Sequence, residues 1–208
     1  MVILGLTGSI GMGKSTASRM LRRMGIRVHD ADAAVHDLLA REGVAKKAVA
    51  VAFPEAVAGG RIDRARLGQR VFGDLPALAR LEAILHPHVR EEAERFLRSA
   101  ARNRARLVAL DIPLLLETRG AARCDLVVVV TAPHFVQAAR VLGRPGMTKE
   151  RLKAVRARQM PEAEKRRRAD FVIRTGLARR FTWDRLRQIV RHVRGRRPAA
   201  WRPRRQRE

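Results

Sequence analysis

Near its amino terminus the chain reads Val2-Ile3-Leu4-Gly5-Leu6-Thr7-Gly8-Ser9-Ile10-Gly11-Met12-Gly13-Lys14-Ser15. An apolar run is followed at once by the pattern G-x-x-x-x-G-K-S, which is typical of a loop that binds phosphate groups. Glycines let such a loop wrap tightly, so that successive backbone N–H groups converge on phosphate oxygens. Apolar residues then recur at helical spacing, at Ala17, Met20, Leu21 and Met24. The sequence therefore predicts a strand, a phosphate-binding loop and a helix whose N-terminus faces the phosphates.

Four further apolar runs extend this unit into a sheet. None of them alternates apolar with polar residues, which favours strands covered on both faces, as in a parallel sheet. A strand, a helix and a second strand in succession form a βαβ unit, so we predict an α/β fold of three layers. The runs are Ile26–His29, Leu107–Leu110, Leu126–Thr131 and, more weakly, Phe171–Ile173.

The remaining segments are helical in pattern. Residues 62–101 show helical spacing and no convincing strand, which indicates a helical insertion between the second and third strands. An arginine-rich helical stretch from Phe135 to about Arg158 is broken at Arg144-Pro145-Gly146. We predict a last helix over about Thr182–Val193, followed by a basic, disordered tail over residues 194–208.

Composition and charge limit the class of protein. The 208 residues are 46% hydrophobic, which is enough to bury a core and excludes disorder throughout. The formal net charge of +25 predicts attraction to phosphates, nucleic acid and anionic membrane surfaces. The single cysteine, Cys124, cannot form an internal disulfide, and the longest apolar run, Leu126–Val130, is far below the roughly 18 residues of a membrane span. Because no signal-peptide pattern follows Met1, we expect a soluble cytoplasmic protein without membrane association.

Two features of the sequence limit which nucleotide the loop binds and which reaction follows. The guanine-reading pattern N-K-x-D is excluded, because the only asparagine, Asn103, is followed by Arg104. The third strand ends Leu110-Asp111-Ile112-Pro113, without the glutamate that hydrolysing machines usually place beside the aspartate to activate water. This favours phosphoryl transfer to a bound acceptor over hydrolysis. Asp111 could hold Mg²⁺ through water or cap the turn, and both interpretations stay open.

Two carboxylates follow the second strand in the sequence His29-Asp30-Ala31-Asp32. In a βαβ unit this strand end lies beside the phosphate loop. A carboxylate there can accept the proton of an attacking hydroxyl or hold a metal, and the alternative is that one of them caps the predicted helix Ala33–Ala40. The two side chains point to the same side if the strand continues through both, and they diverge if a helix starts after Asp30.

In these segments the chain resembles the dephospho-coenzyme A kinase family. The run Gly5–Thr16 is similar to the phosphate loop of that family, including its Leu-Thr-Gly lead-in. The chain departs from the family pattern at three places. Leu116 replaces the usual phenylalanine, and Arg174-Thr175 follows the last strand where the family generally has a polar or acidic residue. The tail beyond Arg194 has no counterpart in the family. The other similar segments follow in the expected order over about residues 1–193: Asp30-Ala31-Asp32, Leu81–Pro87, Pro113–Glu117, Gln137 to Arg140 with Arg144, Gln159 and Ala169–Ile173.

The resemblance implies a P-loop kinase with a five-stranded parallel sheet, a helical acceptor-binding insertion and a helical lid. Such an enzyme transfers the γ-phosphate of ATP to the ribose 3′-hydroxyl of dephospho-CoA, the last step of coenzyme A synthesis, with Mg²⁺ as cofactor. The implied division is a core of residues 1–61 and 103–193, with a lid at about 135–160, an insertion of residues 62–102 that binds dephospho-CoA, and the tail.

The resemblance also implies roles for individual residues. Asp32 would be the catalytic base, with Lys14 and Arg140 as further catalytic groups. Arg140 and Arg144 would lie one helical turn apart on the lid, so that both reach one anion. His86 precedes a proline at an expected helix break, and both a ligand role and a structural role stay open for it. The ATP-binding residues would be Gly11, Met12, Gly13, Lys14, Ser15, Thr16 and Arg144, the substrate-binding residues Thr7, Asp32, His86, Arg90 and Pro113, and the metal-binding residues Ser15 and, through water, Asp111.

Two other functions compete with this one. Another small-molecule P-loop kinase, acting on a nucleoside monophosphate or a sugar, would share every loop residue and differ in the acceptor-binding insertion. A nucleic-acid-binding protein is suggested by the charge, but only 4% of the residues are aromatic and tyrosine is absent, so base-stacking surfaces are scarce. We therefore expect a monomer that binds ATP and dephospho-CoA, and that binds nucleic acid only non-specifically through the basic tail.

Overall fold

The computed structural model describes residues 1–118 and 120–195. The predicted disordered tail from residue 196 onward lies outside the described residues. None of the helices in the described part is long and apolar enough to cross a membrane. In chain order the strands are β1 (Val2–Thr7), β2 (Arg27–Asp30), β3 (Val57–Ala58), β4 (Arg61–Ile62), β5 (Leu107–Asp111), β6 (Leu126–Thr131) and β7 (Phe171–Arg174). The helices are α1 (Lys14–Arg23), α2 (Ala31–Ala40), α3 (Val44–Ala52), α4 (Arg64–Val71), α5 (Leu75–Arg102), α6 (His134–Leu142), α7 (Lys149–Ala157), α8 (Glu162–Arg167) and α9 (Arg179–Arg194).

A five-stranded parallel sheet forms the centre of the first compact unit, which comprises Met1–Asp30 and the chain from Leu97 onward. Its strand order is β2-β5-β1-β6-β7, and every neighbouring pair runs parallel. All residues of β1, β5 and β6 are buried, as the unbroken apolar runs predict for strands covered on both faces. The predicted α/β fold with a five-stranded parallel sheet is confirmed.

The two faces of this sheet pack into different apolar clusters because side chains alternate along a strand. In β6, Val128 and Val130 join the larger cluster, which also contains Leu21 of α1 and Leu186 of α9. The intervening valines of β6 pack against Leu115 and Leu116, which follow β5. The sheet is thus held between two layers, and its carboxyl ends are left at one edge.

The second compact unit is Ala31–Phe96. It begins well before the insertion predicted for residues 62–102, because α2 and α3 contribute to the same apolar cluster as α4 and α5. Four buried members show this: Leu39 of α2, Val49 of α3, Leu67 of α4 and Leu85 of α5. The unit also contains a short antiparallel pair, β3 and β4, which the helical pattern of this region did not predict.

Two helix boundaries differ from the sequence prediction. The helix break expected at His86-Pro87 is absent, since α5 continues through Pro87 as one helix of 28 residues. A proline inside a helix removes one hydrogen bond, and here the flanking turns are held by burial of Leu85 and Ala93. The helix predicted over Ala33–Ala40 begins two residues earlier, at Ala31, directly after β2.

Candidate active site

The phosphate loop joins β1 to α1, whose first residue is Lys14. Gly11 and Gly13 adopt positive φ angles of 74° and 87°, a region that favours glycine. A Cβ atom on Gly13 would lie 2.8 Å from Thr175 Oγ1, and one on Gly11 would lie 2.5 Å from Val141 Cγ2. Both positions therefore require glycine, because the backbone has a positive φ angle and because a side chain would clash. The absence of side chains lets the loop pack closely against Val141 and Thr175.

A side chain beyond β7 fixes the peptide that precedes α1. Thr175 Oγ1 donates a hydrogen bond of 2.6 Å to the carbonyl oxygen of Met12, and Thr175 is buried. In a planar trans peptide the C=O and N–H groups point in opposite directions. The Gly13 N–H, which shares a peptide with the Met12 carbonyl, therefore points away from Thr175. The first hydrogen bond of the helical turn is donated by the Thr16 N–H to the Gly13 carbonyl oxygen. The N–H groups of Lys14 and Ser15 come before this bond in the chain, and at a helix N-terminus such groups have no acceptor within the helix.

Lys14 and Asp111 form a buried ion pair at the loop. Lys14 Nζ lies 2.7 Å from Asp111 Oδ1, and the side chain of Asp111, at the end of β5, is only 2% exposed. Burial raises the pKa of the Asp111 carboxyl above its usual value, while the Lys14 ammonium and a hydrogen bond from Ser18 act against that rise. The carboxylate is engaged by two side chains, which does not support the turn-cap interpretation. The Asp111 carboxylate lies beside the loop lysine at the end of β5.

Asp30 and Asp32 diverge, because β2 ends at Asp30 and α2 starts at Ala31. Asp30 Oδ2 lies 3.6 Å from a guanidinium nitrogen of Arg22 in α1, and Arg22 donates a further bond of 3.0 Å to the Ser18 hydroxyl. Asp30 therefore belongs to the first compact unit and to the side-chain network under the loop. Asp32 lies in the first turn of α2, in the second unit, and is exposed.

Thr7 and Pro113, both predicted to bind substrate, are joined by a hydrogen bond. Thr7 is the last residue of β1 and is fully buried, and its Oγ1 donates to the Pro113 carbonyl oxygen over 2.8 Å. This bond ties the segment after β5 to the strand that leads into the phosphate loop. The structure thus places both residues at the same edge of the sheet as Lys14.

Arg140 and Arg144, which the sequence places on a predicted lid, do not lie on one helix as predicted. Arg140 is in the last turn of α6, which ends at Leu142, and Arg144 follows the C-cap residue Gly143 in a turn. Helix α6 ends at Leu142, before the predicted break at Arg144-Pro145-Gly146. Arg140 and Arg144 are therefore not one helical turn apart on the same helix. Arg140 donates to the carbonyl oxygen of Thr175 (2.6 Å) and lies 3.4 Å from that of Gly11.

His86 and Arg90 are on α5, in the second compact unit, and both are exposed. They are four residues apart on a continuous helix, so they occupy one face, one turn apart. His86 and Arg90 therefore share a helical face, whereas Arg140 and Arg144 do not. The uninterrupted course of α5 through Pro87 is what keeps these two side chains in register.

Several residues at this site had no role assigned from the sequence. Thr175 stands in the sequence only as a departure from the family pattern, yet its hydroxyl donates a hydrogen bond to the Met12 carbonyl oxygen. Ser18 gives no signal, because a serine in an amphipathic helix is unremarkable before its partners are known. Gln137 and Gln159 belong to the segments that resemble the family, and both contact the phosphate loop. These contacts join positions up to 163 residues apart in the chain.

A glycine loop that joins a buried parallel strand, β1, to a helix beginning at a lysine is the arrangement that P-loop kinases use to hold the phosphates of a nucleotide. The buried aspartate beside the lysine and the absence of an adjacent glutamate suit transfer of a phosphoryl group. The fold and the site define the chain as a P-loop phosphotransferase.

Comparison with known proteins agrees over nearly the whole chain. A family model described as dephospho-CoA kinase matches residues 2–178. A dephospho-CoA kinase of Paramagnetospirillum magneticum is 62% identical over 200 residues, which are 96% of this chain and 94% of that protein. A crystal structure from Thermus thermophilus has a TM-score of 0.79 at 39% identity, over 92% of this chain and 96% of that one. A Campylobacter jejuni dephospho-CoA kinase, at 23% identity and a TM-score of 0.61 over 92% of this chain and 96% of that one, shares the fold. The chain belongs to the dephospho-CoA kinase family.

Proposed function

We propose that the chain transfers the γ-phosphate of ATP to the ribose 3′-hydroxyl of dephospho-CoA, giving coenzyme A and ADP. The observation that carries this proposal is the family match over residues 2–178, which spans both compact units. A match confined to the phosphate loop would support only a nucleotide-binding protein. A second candidate, a kinase for another small acceptor, has no observation in its favour beyond the shared loop.

The phosphates of ATP would bind the loop and the start of α1. The N–H groups of Met12 and Thr16 donate to the carbonyl oxygens of Ser9 and Gly13. The phosphates would therefore accept hydrogen bonds from other N–H groups of the loop, and Lys14 would carry the charge that neutralises the transferring group. The Lys14 ammonium is paired with Asp111 at 2.7 Å, so it is held in place before ATP binds. An oriented cation costs little reorganisation when charge develops on the phosphoryl oxygens.

Mg²⁺ is the cofactor that this donor set fits. The Ser15 hydroxyl and the Asp111 carboxylate are hard oxygen ligands, which Mg²⁺ prefers, and it commonly takes its other ligands from phosphates and water. Among the described residues no group of three or more His, Cys, Asp or Glu could hold a metal ion. When bound, Mg²⁺ neutralises charge on the β- and γ-phosphates.

The acceptor would be bound by Thr7, Pro113, His86 and Arg90, with Asp32 as the base. The 3′-hydroxyl oxygen forms a bond to the γ-phosphorus while the bond from that phosphorus to the β-phosphate oxygen breaks. The hydroxyl proton passes to the Asp32 carboxylate, and ADP leaves with the electron pair of the broken bond. The exposed pair His86 and Arg90 offers hydrogen-bond donors to an acceptor phosphate.

The lid would be the segment of about residues 135–160, with Arg140 and Arg144 directed at the nucleotide. Arg140 contacts carbonyl oxygens of Gly11 and Thr175 in this structure, and these are neutral acceptors. A phosphate group would compete for the same guanidinium because, unlike a carbonyl oxygen, it is negatively charged and can accept two parallel hydrogen bonds from it. The catalytic role of Arg140 is therefore compatible with its present contacts.

The test is a panel of acceptors in a coupled assay that measures ADP release. The acceptors are dephospho-CoA, a nucleoside monophosphate and a simple sugar, each at saturating ATP and Mg²⁺, with an acceptor-free reaction as control. The expected result is turnover with dephospho-CoA at least about 10²-fold above the others. Comparable rates with a nucleoside monophosphate would overturn the acceptor assignment, and equal ADP release without acceptor would show hydrolysis instead.

A further inference from the structure

Two glutamines hold the backbone of Ile10 in the phosphate loop. Gln159 Oε1 accepts a hydrogen bond from the Ile10 N–H over 3.1 Å, and Gln137 Nε2 donates one of 2.7 Å to the Ile10 carbonyl oxygen. We call these two side chains the Ile10 clamp. Gln137 belongs to α6, whereas Gln159 lies in the turn between α7 and α8.

The Gln137 bond also orients the next peptide group. The Ile10 carbonyl and the Gly11 N–H share one trans peptide, so holding the carbonyl towards Gln137 directs the Gly11 N–H the opposite way. Thr175 has the same effect on the Gly13 N–H through the Met12 carbonyl. The directions of the Gly11 and Gly13 N–H groups are thus set by Gln137 and Thr175, which are distant from the loop in the sequence.

The orientation of Gln137 is itself fixed. The residue is 2% exposed, and its Oε1 accepts a hydrogen bond from the guanidinium of Arg156 in α7. Since Arg156 can only donate, the amide oxygen must face it, and the amide nitrogen must then face the Ile10 carbonyl. An amide held in this way carries no freedom to flip.

A buried ion pair holds the backbone next to Gln159. Glu117 Oε1 accepts a hydrogen bond of 3.0 Å from the Met160 N–H and lies 2.8 Å from Lys165 Nζ. Lys165 is 1% exposed, although a lysine is almost never fully buried unless it is paired. Replacing such a pair by apolar groups is often neutral for stability, so stability alone does not account for it.

We propose that Gln137 and Gln159 are positioning residues that set the phosphate loop in its ATP-binding conformation, and that Glu117 and Lys165 support Gln159. This inference deepens the proposed function, because it concerns the ATP side of the same site. None of the four side chains needs to touch ATP. They act through the direction of the loop N–H groups.

The test compares two substitutions at one position. Gln159→Glu keeps an oxygen acceptor for the Ile10 N–H, whereas Gln159→Met keeps the length and removes the acceptor. We expect Gln159→Met to raise the KM for ATP about tenfold, with the KM for dephospho-CoA unchanged. Gln159→Glu should raise the KM for ATP by less, because it keeps the acceptor although its carboxylate repels the phosphates. Gln188→Met, at an exposed position of α9, is the matched control.

The ion pair is tested by two double variants. Glu117→Gln with Lys165→Met removes both charges and keeps the acceptor for the Met160 N–H, so the KM for ATP should change little. Glu117→Leu with Lys165→Met removes the acceptor as well, and we expect the same rise as for Gln159→Met. Adding Gln159→Met to the latter should cause no further rise, because the three side chains act in series.

ATP binding measured by calorimetry without acceptor separates this inference from the proposed function. If the wild type binds ATP but does not phosphorylate dephospho-CoA, the acceptor assignment fails while the clamp is still tested by ATP affinity. Equal ATP affinity of Gln159→Met and the wild type would overturn the inference.

Discussion

The ammonium of Lys14 and the carboxylate of Asp111 lie 2.7 Å apart, and the Asp111 side chain is 2% exposed. A change at Lys14 therefore affects a buried carboxylate as well as bound ATP. Its two consequences can be measured separately, because one concerns the rate of phosphoryl transfer and the other the free energy of unfolding.

Lys14→Ala should abolish phosphoryl transfer and also destabilise the protein by about 3 kcal/mol, because Asp111 is left buried without its partner. Adding Asp111→Asn should restore most of the melting temperature without restoring activity. Thermal melts and ADP release on both variants check this. Full activity in Lys14→Ala would contradict the assignment of the loop as the ATP site, and an unchanged melt would contradict the strength of the ion pair.

Asp32→Asn should lower kcat by at least about 10² while ATP binding and the melting temperature stay unchanged, because Asp32 is exposed and would act as the base. Asp30→Asn should cost less activity and less than about 1 kcal/mol of stability, since its partner Arg22 is 3.6 Å away and both side chains are partly exposed. Kinetics at saturating ATP and dephospho-CoA compare the two. Should Asp30→Asn lose nearly all kcat while Asp32→Asn keeps most, the roles are reversed.

At the scale of elements, the phosphate loop depends on contacts from α6 and from the chain after β7. Gly13 has a φ of 87° and would place a Cβ 2.8 Å from Thr175 Oγ1, whereas Gly25 has a φ of 75° and nothing within 4 Å. Both glycines have a positive φ angle, but only Gly13 is closely packed against a neighbouring side chain.

Gly25→Ala should cost about 1–2 kcal/mol from its left-handed backbone alone and leave the KM for ATP unchanged. Gly13→Ala should cost more and raise the KM for ATP at least about tenfold, because the new methyl group displaces Thr175 from the Met12 carbonyl. Chemical melts and steady-state kinetics on both variants provide the comparison. Equal effects in the two variants would show that the Thr175 contact does not shape the loop.

At the scale of the whole molecule, the formal net charge of +25 favours non-specific attraction to polyanions such as nucleic acid. Part of that charge lies beyond Gly195, where six arginines stand against one glutamate, Glu208. Their contribution can be measured by removing them together.

Deletion from Arg196 onward should leave the kinase activity unchanged and weaken non-specific binding of nucleic acid at low salt. The physical reason is that such binding follows the number of phosphates neutralised, so fewer cations give a lower affinity and a shallower salt dependence. Filter binding of a random duplex at several salt concentrations checks this, alongside ADP release. Loss of activity in a folded, truncated protein would mean that the tail serves catalysis.

Local sequence determined the strand–loop–helix unit and the sheet. The run Val2–Thr7, the glycines at 11 and 13, and Lys14 each fix conformation or chemistry within a few residues, and the structure has the predicted five parallel strands. The order of motifs along the chain also sufficed to indicate the family. Periodicity reports which segments are helices and strands because burial imposes it residue by residue.

Tertiary structure alone decided how the loop is held and where the units divide. Thr175, Gln137, Gln159 and Glu117 reach their partners across 43 to 163 residues of chain, and no local pattern encodes a partner so distant. The second unit starts at Ala31 because α2 and α3 share an apolar cluster with α4 and α5, and the course of α5 through Pro87 depends on burial on both sides of the proline. Hydrogen bonds and packing between distant segments form only in the folded chain, so these features follow from the fold and not from the sequence pattern.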